Sequence, residues 1–584
     1  MGWSPHLQAV SVVGVALAAC GGPAASNGGG DASVPTRDGG GTLEGGSGSS
    51  SSGGSSGGGA VDSGSGSSSG SGSGSGGEAG SSGSSGSAPT TSVLTYHNDE
   101  ARTGQYTLET SLTPSSVGST TFGKLFAQPV DSYIYAEPLF LPGLTIGGKT
   151  HDVVFVVTEA NSVYAFDADT AQAALWHTNV GTALSCSDLH DCGDLVPGAG
   201  ITGTPVIDPS SQTMYLVALT KDSAGAFHHR FHAIDITSGA ERTGSPVEVS
   251  PTAAGTGANS TNGTIAFDPG THYQRCALLL TGGVVYVGIG SNAESDSDNH
   301  GWIVGYGAGS LASTISFCAS PNDNWSSLWQ SGGGLSTDAN GYVYAETANG
   351  TFDVDTGGSD YGDSAIKLDA SGQVVDYFTP YDQADMNSGD LDFGAANPVV
   401  LPDQSGAVVH ELLATGKPGI LYLIDRDDMG HFQKGSDSQI VQSVSAFPNT
   451  GNITGGIFSS PVYWNGNVYV AGMGSGVELF TLTAGKLSTT YQSKTSQTFG
   501  FPGATTSVSS NGTAAGIAWV LDGSGGVLYA YDATNLAKEL YDTTQAANGR
   551  DQLGAPVKFA VPAVANGHVY VGTQTELDVL GLLP

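Results

Sequence analysis

The chain has 584 residues, of which 53 are acidic and 17 are basic, so its formal net charge at pH 7 is −36. This balance argues against nucleic acid as a partner, because phosphate binding requires a basic surface, and it disfavours adsorption to anionic lipid. Beyond the first 20 residues, no segment has the run of about 20 apolar residues that a membrane-spanning helix requires.

Residues 1–20 are typical of an export signal. The apolar run Ala9–Ala19 is too short to span a bilayer and ends in Leu-Ala-Ala-Cys, with Cys20 as the last residue. This tetrapeptide resembles the lipobox of bacterial lipoproteins, in which the cysteine is lipidated. The resemblance implies an exported protein anchored through Cys20 to the bacterial cell envelope, at the outer membrane or cell surface. No Lys or Arg precedes Cys20, which departs from the usual pattern, so either the true start lies elsewhere or His6 and the amino group supply the charge. A secreted protein without an anchor is the alternative.

Residues 21–90 form a linker that is rich in Gly and Ser. Between Gly46 and Ser87, all but five of the 42 residues are Gly or Ser, a composition that cannot bury an apolar core. We therefore predict that residues 21–90 are disordered. Because a flexible chain of this length spans about 45 Å on average, the folded region beyond it should stand away from the membrane.

The cysteine count is consistent with an oxidising compartment. With Cys20 assigned to lipid, four cysteines remain, and an even number in an exported chain favours two disulfides. We favour the pairs Cys186–Cys192 and Cys276–Cys318, since each would close a short loop within one structural unit. No CxxCH motif occurs, so no covalent haem domain is expected.

One unit of strands and turns repeats along residues 91–584. The clearest copy is VVFVVTEANSVYAFDADTAQAALW, with Asp167 in the turn before the outer strand. The same turn position recurs at Asp167, Asp235, Gly307, Asp369, Asp425, Thr481, Asp532 and Gly581. Successive copies lie 49 to 72 residues apart, which is the size of a four-stranded propeller blade with its loops.

The last copy ends after three strands, and the strand-like segment FGKLFAQPV at 122–130 precedes the first copy. Pairing this segment with Leu577–Leu582 would complete an eighth blade and remove exposed sheet edges. We therefore predict an all-β fold, an eight-bladed β-propeller of four-stranded blades that is closed by strands from both ends of the chain. Seven blades would require one copy, most readily the sixth, to be misassigned. ATNLAKELYD is the one predicted short helix.

Longer stretches resemble a known family. YHNDEARTGQYTLETSLTPSSV is followed by SLWQSGGGLSTDANGYVYAETANG, LDFGAANPVVL and GKPGILYLIDR, in the order found in dehydrogenases that use pyrroloquinoline quinone (PQQ). The Asp167 unit resembles the AxDxxTGxxxW repeat of quinoprotein propellers, with Ala171 in place of the Gly and Trp176 retained. The resemblance covers about residues 93–584.

The family resemblance implies that PQQ and Ca²⁺ bind in the central funnel of the propeller. Matched by motif, Ser291 of GSNAE is a hydrogen-bond partner of PQQ, and Trp329 of LWQ is the floor on which the quinone stacks. Glu294 of GSNAE and Asn349 of ETANG are the implied calcium ligands. Their hard oxygens suit Ca²⁺, and the bound metal would polarise a quinone carbonyl.

The same resemblance implies the catalytic residues. Asp392 of LDFG is the general base that takes the alcohol proton while hydride moves to the quinone. Lys417 of GKPG occupies the position of the Arg or Lys near the quinone carbonyls, where it would stabilise a developing oxyanion.

Three features depart from the family pattern. LVPGAGITGTP contains no arginine where one that binds a PQQ carboxylate is expected. Tyr135 of IYAEP stands where a polar cofactor contact is common. The family's disulfide between adjacent cysteines is replaced by Cys186 and Cys192, which are separated by five residues.

The matched residues also have structural interpretations. Trp329 is compatible with a blade core, Asp392 with a turn cap, and Lys417 with a solvated turn at the start of a buried strand. Glu294 begins ESDSDN, which is compatible with a structural calcium loop, although it lacks the Gly and the distal Glu of an EF-hand.

Two hypotheses about function follow from these patterns. The first is a lipid-anchored quinoprotein oxidoreductase that acts on an alcohol or sugar hydroxyl. The second is a non-catalytic propeller with a decayed cofactor site, which binds an envelope protein or serves as a scaffold.

The anchoring hypothesis predicts that the mature protein begins at Cys20 and that this residue carries lipid. Mass spectrometry of the N-terminal peptide should therefore show a lipid adduct, and Cys20→Ala should release the protein from the membrane fraction. An unmodified Cys20 in the mature protein would overturn the anchor.

Overall fold

A computed structural model describes residues 91–190, 192, 195–291, 298–448 and 453–584. Within these residues the chain forms eight successive antiparallel sheets of four or five strands, arranged as the blades of a β-propeller. The predicted all-β, eight-bladed fold is therefore confirmed. In each blade the first strand lies innermost and the fourth lies outermost.

The first four blades contain the following strands, given from the inside outward. Blade 1 consists of Leu139–Ile146, Lys149–Val157, Ser162–Asp167 and Trp176–Asn179. Blade 2 consists of Val206–Asp208, Thr213–Lys221, Phe227–Asp235 and Val247–Glu248. Blade 3 consists of a divided first strand (His272–Tyr273 and Leu279–Thr281), Val284–Ser291, Trp302–Gly307 and Ser313–Cys318. Blade 4 consists of Ser336–Thr337, Val343–Glu346, Ala365–Leu368 and Val374–Thr379, with His431–Phe432 added outside.

The remaining blades follow the same order. Blade 5 consists of Val399–Val400, Glu411–Thr415, Ile420–Asp425 and Gln442–Ser445. Blade 6 consists of Val462–Trp464, Asn467–Ala471, Val477–Thr483 and a divided fourth strand (Lys486–Leu487 and Ser493–Lys494). Blade 7 consists of Ala504–Asn511, Ala514–Asp522, Val527–Asp532 and Asn535–Asp542, with Gln105–Tyr106 added inside. Blade 8 consists of Ala563–Ala565, His568–Gly572, Glu576–Leu582 and Phe122–Pro129.

Blade 8 closes the ring as predicted. Its outermost strand, Phe122–Pro129, comes from the start of the propeller and pairs antiparallel with Glu576–Leu582, with Phe122 opposite Leu582. Phe122 is fully buried and packs its ring 5.3 Å from that of Trp519 and 5.1 Å from that of Tyr541, both in blade 7. The closure therefore joins blade 8 to its neighbour as well as to the N-terminal strand.

The blades pack on each other through both faces of their strands. In the strand Ile420–Asp425 of blade 5, Tyr422 and Ile424 belong to an apolar cluster shared with blade 4, whereas Leu421 and Leu423 belong to one shared with blade 6. Side chains alternate across a strand, so a strand between two neighbours must be apolar on both faces. This explains the apolar run ILYLI in the sequence.

A segment from Val93 to Glu109, which we call the strap, crosses the inner side of the ring and forms hydrogen bonds with every blade. Its partners in blades 1 to 8 are Phe140, Ile207, Leu278, Thr337, Val400, Tyr463, Val508 and Gly567. In blades 2, 4, 5 and 6, the partner lies opposite the first or second residue of the second strand. The strap thus lies towards the end of the channel where first and second strands are joined.

Helical structure is sparse. Gln383–Ser388 is the one α-helix in the described ranges, and the 3₁₀ turns are Cys186–Asp188, Gln330–Gly332, Val354–Thr356, Phe393–Ala395 and Ala547–Gly549. No helix among these is long and apolar enough to cross a bilayer. The predicted helix in ATNLAKELYD is wrong, because Asn535–Asp542 forms the outer strand of blade 7. Sheet pairing there outweighs the helix propensity of Ala, Lys, Glu and Leu.

Only one of the two predicted disulfides is present. Cys186 and Cys192 are bonded, in the connection between blades 1 and 2. Cys276 and Cys318 are both buried and free, so the second predicted pair is wrong. Cys276 lies beside the innermost strand of blade 3 and Cys318 ends its outermost strand. Three strand spacings of about 4.8 Å separate these positions, which is too far for a disulfide.

Ring closure can be tested by truncating its buried anchor. Phe122→Ala should lower the free energy of unfolding by about 3–5 kcal/mol, because a large cavity forms against Trp519 and Tyr541. The matched control is Leu582→Ala, directly opposite Phe122 but 38% exposed, which should cost little. Urea denaturation measures both, and equal midpoints for the two variants would contradict the role of this strand in closure.

Candidate functional site

The predicted site residues lie on one end of the propeller. Within an antiparallel blade, the turn after the second strand and the connection to the next blade emerge at the same end. Ser291, Asn349 and Lys417 each end or follow the second strand of blades 3, 4 and 5. Trp329 and Asp392 lie in the connections from blade 3 to blade 4 and from blade 4 to blade 5. Trp329 is therefore outside the blade strands, contrary to the core interpretation.

Lys417 is the centre of this group. Its ammonium lies 2.6 Å from Asp392 Oδ2, 2.8 Å from Asp390 Oδ1 and 5.9 Å from the centroid of the Trp329 ring. Lys417 is 5% exposed, so the interpretation as a solvated turn residue is wrong. Its backbone N–H also donates to the Asp392 carbonyl at 3.0 Å, which fixes the Lys417 turn against the Asp392 loop.

A glycine makes this approach possible. A Cβ at Gly416 would lie 2.2 Å from the Phe393 carbonyl oxygen and 2.5 Å from that of Asp392. Only a residue without a side chain can therefore precede Lys417, since real Cβ atoms do not approach backbone oxygens so closely. The glycine in GKPG is explained by close contact between blades 4 and 5.

Asn349, which follows the second strand of blade 4, contacts the same loop that carries Asp390 and Asp392. Its backbone N–H donates to Asp392 Oδ1 at 2.9 Å, and its side-chain Nδ2 donates to Asp390 Oδ1 at 3.0 Å. Its Oδ1 is buried and has no hydrogen-bond partner within the described ranges. This orphaned amide oxygen is the atom that the family resemblance assigns as a calcium ligand.

A third carboxyl group, that of Asp363, lies beneath the Asp392 loop. Asp363 is fully buried and accepts hydrogen bonds from Phe393 N–H at 3.1 Å and Gln383 Nε2 at 3.3 Å. Burial raises its pKa well above the usual range, and the charge of Asp392 raises the pKa further. Both effects favour the protonated form of Asp363.

Of the other two predicted site residues, Ser291 contacts this group indirectly and Glu294 lies outside the described residues. Ser291 N–H donates to Ser327 Oγ at 3.0 Å, and the neighbouring Ser326 N–H donates to the Asn349 carbonyl at 2.7 Å, so Ser291 joins the group through this serine pair. Glu294 lies in 292–297, outside the described residues, and so does most of the proposed ESDSDN loop. Among the side chains that are described, no three or more His, Cys, Asp or Glu residues are arranged to hold a metal ion.

The structure reveals an arginine that the sequence comparison missed. Arg275, between the two parts of the first strand of blade 3, is 6% exposed. Its guanidinium carbon lies 5.5 Å from the centroid of Trp329 and 4.4 Å from that of Phe559. The family motif places its arginine between blades 1 and 2, and Arg275 lies elsewhere. The one signal for Arg275 in the sequence is that it is a lone basic residue beside an apolar stretch, QRCALLL.

Aromatic rings from successive connections continue from Trp329. Phe458 lies 6.3 Å from Trp329, Phe501 lies 5.4 Å from Phe458, and Phe559 lies 6.3 Å from Phe501, measured between ring centroids. Lys558 Nζ is 5.7 Å from the Phe501 ring. Together with Arg275 and Lys417, these residues form a largely buried cluster of aromatic rings and basic side chains in a strongly acidic chain.

The contacts of blades 1 to 3 border this cluster. Glu159 accepts hydrogen bonds from Gly200 N–H and from the Thr202 hydroxyl, which also contacts the Tyr273 hydroxyl. Tyr135, which replaces a polar cofactor contact in the family pattern, donates its hydroxyl to the Val196 carbonyl at 3.0 Å. Tyr135 is therefore fixed on the loop that carries the disulfide.

Comparison with solved structures supports the same architecture. The chain is similar to a quinohemoprotein alcohol dehydrogenase, ADHIIG, from Pseudomonas putida HK5, with 13% identity, a TM-score of 0.53, and coverage of 84% of this chain and 80% of that chain. It is also similar to quinohemoprotein alcohol dehydrogenase from Comamonas testosteroni, with 14% identity, a TM-score of 0.54, and 85% and 81% coverage. A europium-containing methanol dehydrogenase gives 14% identity, a TM-score of 0.55, and 84% and 98% coverage.

At this level of identity, the likeness to these dehydrogenases shows the fold and not the activity. In sequence comparisons, no protein-family model and no curated protein match the chain. The function therefore has to be argued from the site itself.

Glu159 provides a pH test of the electrostatics in this region. Burial raises its pKa from 4.5 to about 7, against hydrogen bonds from Thr202 and Gly200 and the charge of Arg275. Because the folded protein holds this proton more tightly, its contribution to stability is complete below pH 4.5 and is lost as pH rises through 7. Relative to Glu159→Gln, the wild type should lose about 3 kcal/mol between pH 4.5 and pH 8. Urea unfolding at both pH values measures this, and parallel profiles would contradict it.

Proposed function

We propose that this protein is a quinoprotein oxidoreductase that binds PQQ and Ca²⁺ at the Trp329 site and oxidises the hydroxyl group of an alcohol or sugar. The observation that carries the proposal is the convergence of Trp329, Asn349, Asp392 and Lys417, which come from blades 3, 4 and 5 and share direct contacts. These are residues that the PQQ family uses, and here they lie together.

The residues present fit both ligands. Asn349 Oδ1 is a hard oxygen that is buried and lacks a partner within the described ranges, as a Ca²⁺ ligand should be. Trp329 is half-buried and offers an aromatic surface on which a tricyclic quinone can stack. Arg275 supplies positive charge 5.5 Å from the centroid of that ring, which suits the carboxylates of PQQ.

When bound, PQQ supplies the two-electron acceptor and Ca²⁺ supplies Lewis acidity. Asp392 is positioned to receive the substrate's hydroxyl proton at Oδ2, while its Oδ1 stays bound to Asn349 N–H. Lys417, 2.6 Å from Oδ2, stabilises negative charge that develops beside it. The packed loops around Gly416 hold these groups in place and limit the access of water.

We further propose that the protein acts in the bacterial cell envelope, held by lipid on Cys20. The acidic surface and the Gly/Ser linker support this proposal, since both favour a domain that stands off an anionic membrane. Its substrate would then be an alcohol or sugar outside the cytoplasm.

A second candidate is a non-catalytic propeller that binds an envelope protein. The observation in its favour is that Lys417 already pairs with both Asp390 and Asp392, so the charges of the site are satisfied by its own residues. Such an arrangement is also expected of a decayed site that has become structural.

Reconstitution of the full chain separates the two candidates. Purified protein should bind PQQ in the presence of Ca²⁺ and then oxidise alcohols or aldoses with an artificial electron acceptor. Asp392→Asn should retain PQQ binding but lose about 100-fold or more of the turnover, because the proton acceptor is removed. Asn349→Ala should weaken Ca²⁺-dependent PQQ binding.

The matched control is Asp427→Asn, an aspartate whose side chain is 67% exposed and pairs with His410 away from the site. Its binding and turnover should equal those of the wild type. Absence of PQQ binding at about 50 μM, well above the micromolar range typical of specific ligands, would leave the non-catalytic propeller standing.

A further inference from the structure

Arg275 is a buried guanidinium that contacts aromatic rings but has no carboxylate partner among the described residues. It is 6% exposed, its Nη2 is buried without a hydrogen-bond acceptor, and no carboxylate in the described part of the chain forms an ion pair with it. Burial raises the pKa of the nearby Glu159, and the charge of Arg275 opposes that rise. The oxygens of Glu159 already accept hydrogen bonds from Gly200 and Thr202.

The other two buried arginines among the described residues differ from Arg275 because each has acceptors, although Nη2 of Arg426 is likewise buried without one. Arg102 is fully buried and donates four hydrogen bonds, to Leu335 O, Thr95 Oγ1, Tyr96 O and Leu278 O. Arg426 is 3% exposed and pairs with Asp338 at 2.9 Å. Since the burial of a charge without a counter-ion is unfavourable, Arg275 is a candidate for binding an anion.

The geometry around Arg275 indicates which kind of anion it can bind. A guanidinium presents a planar fork of donors that matches a carboxylate. Trp329 and Phe559 lie 5.5 and 4.4 Å from the guanidinium carbon, so the neighbouring walls are flat and aromatic. Phe501, whose ring lies next to that of Phe559, is 40% exposed.

We infer that Arg275 is the anion-binding residue of a site for a flat aromatic carboxylate, whose ring lies on Trp329 and whose carboxylate pairs with the guanidinium. The inference rests on the same site as the proposed function and specifies the charge of its ligand. Arg275 thereby replaces the arginine that is missing from LVPGAGITGTP, and it does so from blade 3.

Isothermal titration calorimetry on the full chain tests this with two probes of equal shape, isophthalate (a dianion) and isophthalamide (neutral). The wild type should bind isophthalate with a Kd of about 1 mM, as expected for a fragment of this size, and isophthalamide at least tenfold more weakly. Arg275→Gln should weaken isophthalate binding by about 10-fold to 100-fold, because a charge-assisted bidentate pair is lost. Arg275→Lys, which keeps the positive charge, should bind isophthalate more tightly than Arg275→Gln but less tightly than the wild type.

Two controls separate ligand binding from a structural role. Arg230→Gln removes a surface arginine that lies 3.7 Å from Glu248 and should leave isophthalate binding unchanged. Without ligand, Arg275→Gln should melt at or above the temperature of the wild type, because it removes an unsatisfied buried charge. A clear fall in melting temperature together with unchanged preference for isophthalate would overturn the inference.

Titration with PQQ and Ca²⁺ distinguishes this inference from the proposed function. Binding of isophthalate that depends on Arg275, without binding of PQQ, supports the inference and refutes the PQQ proposal. PQQ binding that is equal in the wild type and Arg275→Gln supports the proposal and overturns the inference. Failure of the wild type to bind either probe overturns both.

Discussion

The antiparallel pairing of Phe122–Pro129 with Glu576–Leu582 is the contact on which the other parts of the molecule depend. Each blade has apolar residues on both faces, so a blade at an open end would expose one face to water. The site also requires a closed ring, since Lys417 belongs to blade 5 whereas Phe559 precedes blade 8. Residues that are far apart in the chain meet on Trp329 because the ring fixes the positions of their blades.

The site consists of two halves with different electrostatic character. On one side, Lys417 is surrounded by carboxylates and its charge is fully compensated. On the other side, Arg275 lies between aromatic rings and has no counter-ion among the described residues. In the function proposed here, a ligand that carries negative charge would pair with Arg275 in the second half, and Asp392 in the first half would remain available for proton transfer.

The sequence reveals the parts of the structure that depend on local patterns. The recurring turn position, from Asp167 to Gly581, coincides with the third strand of every blade or the residue that follows it, because blade length and strand alternation are local properties. The convergence of Asn349, Asp392 and Lys417 could be anticipated because each lies in a recognisable motif. The helix predicted at residues 533–542 failed because pairing with a neighbouring strand outweighs local propensity.

Other features could not be read from the sequence, since they depend on distances between elements. Cys276 and Cys318 lie in one blade but on its opposite edges. Their spacing in the sequence does not show which edge of the blade each cysteine occupies. Arg275 lies outside the motif in which the family carries its arginine. Its contact with Phe559 joins blade 3 to the connection before blade 8, and only the closed ring brings these positions together.

The strap has a consequence for how the chain folds. Residues 93–109 and the strand Phe122–Pro129 are synthesised before blades 1 to 7, yet their partners extend to Gly567 and Leu582 near the other end of the chain. Contacts between such distant segments form late and slowly, because the intervening loop must be ordered first. The strap can contact Phe140 and Ile207 early in synthesis, but Phe122–Pro129 has its partner strand only after the last blade has been made. The ring of this topology can therefore close only when the first and last strands of the propeller meet.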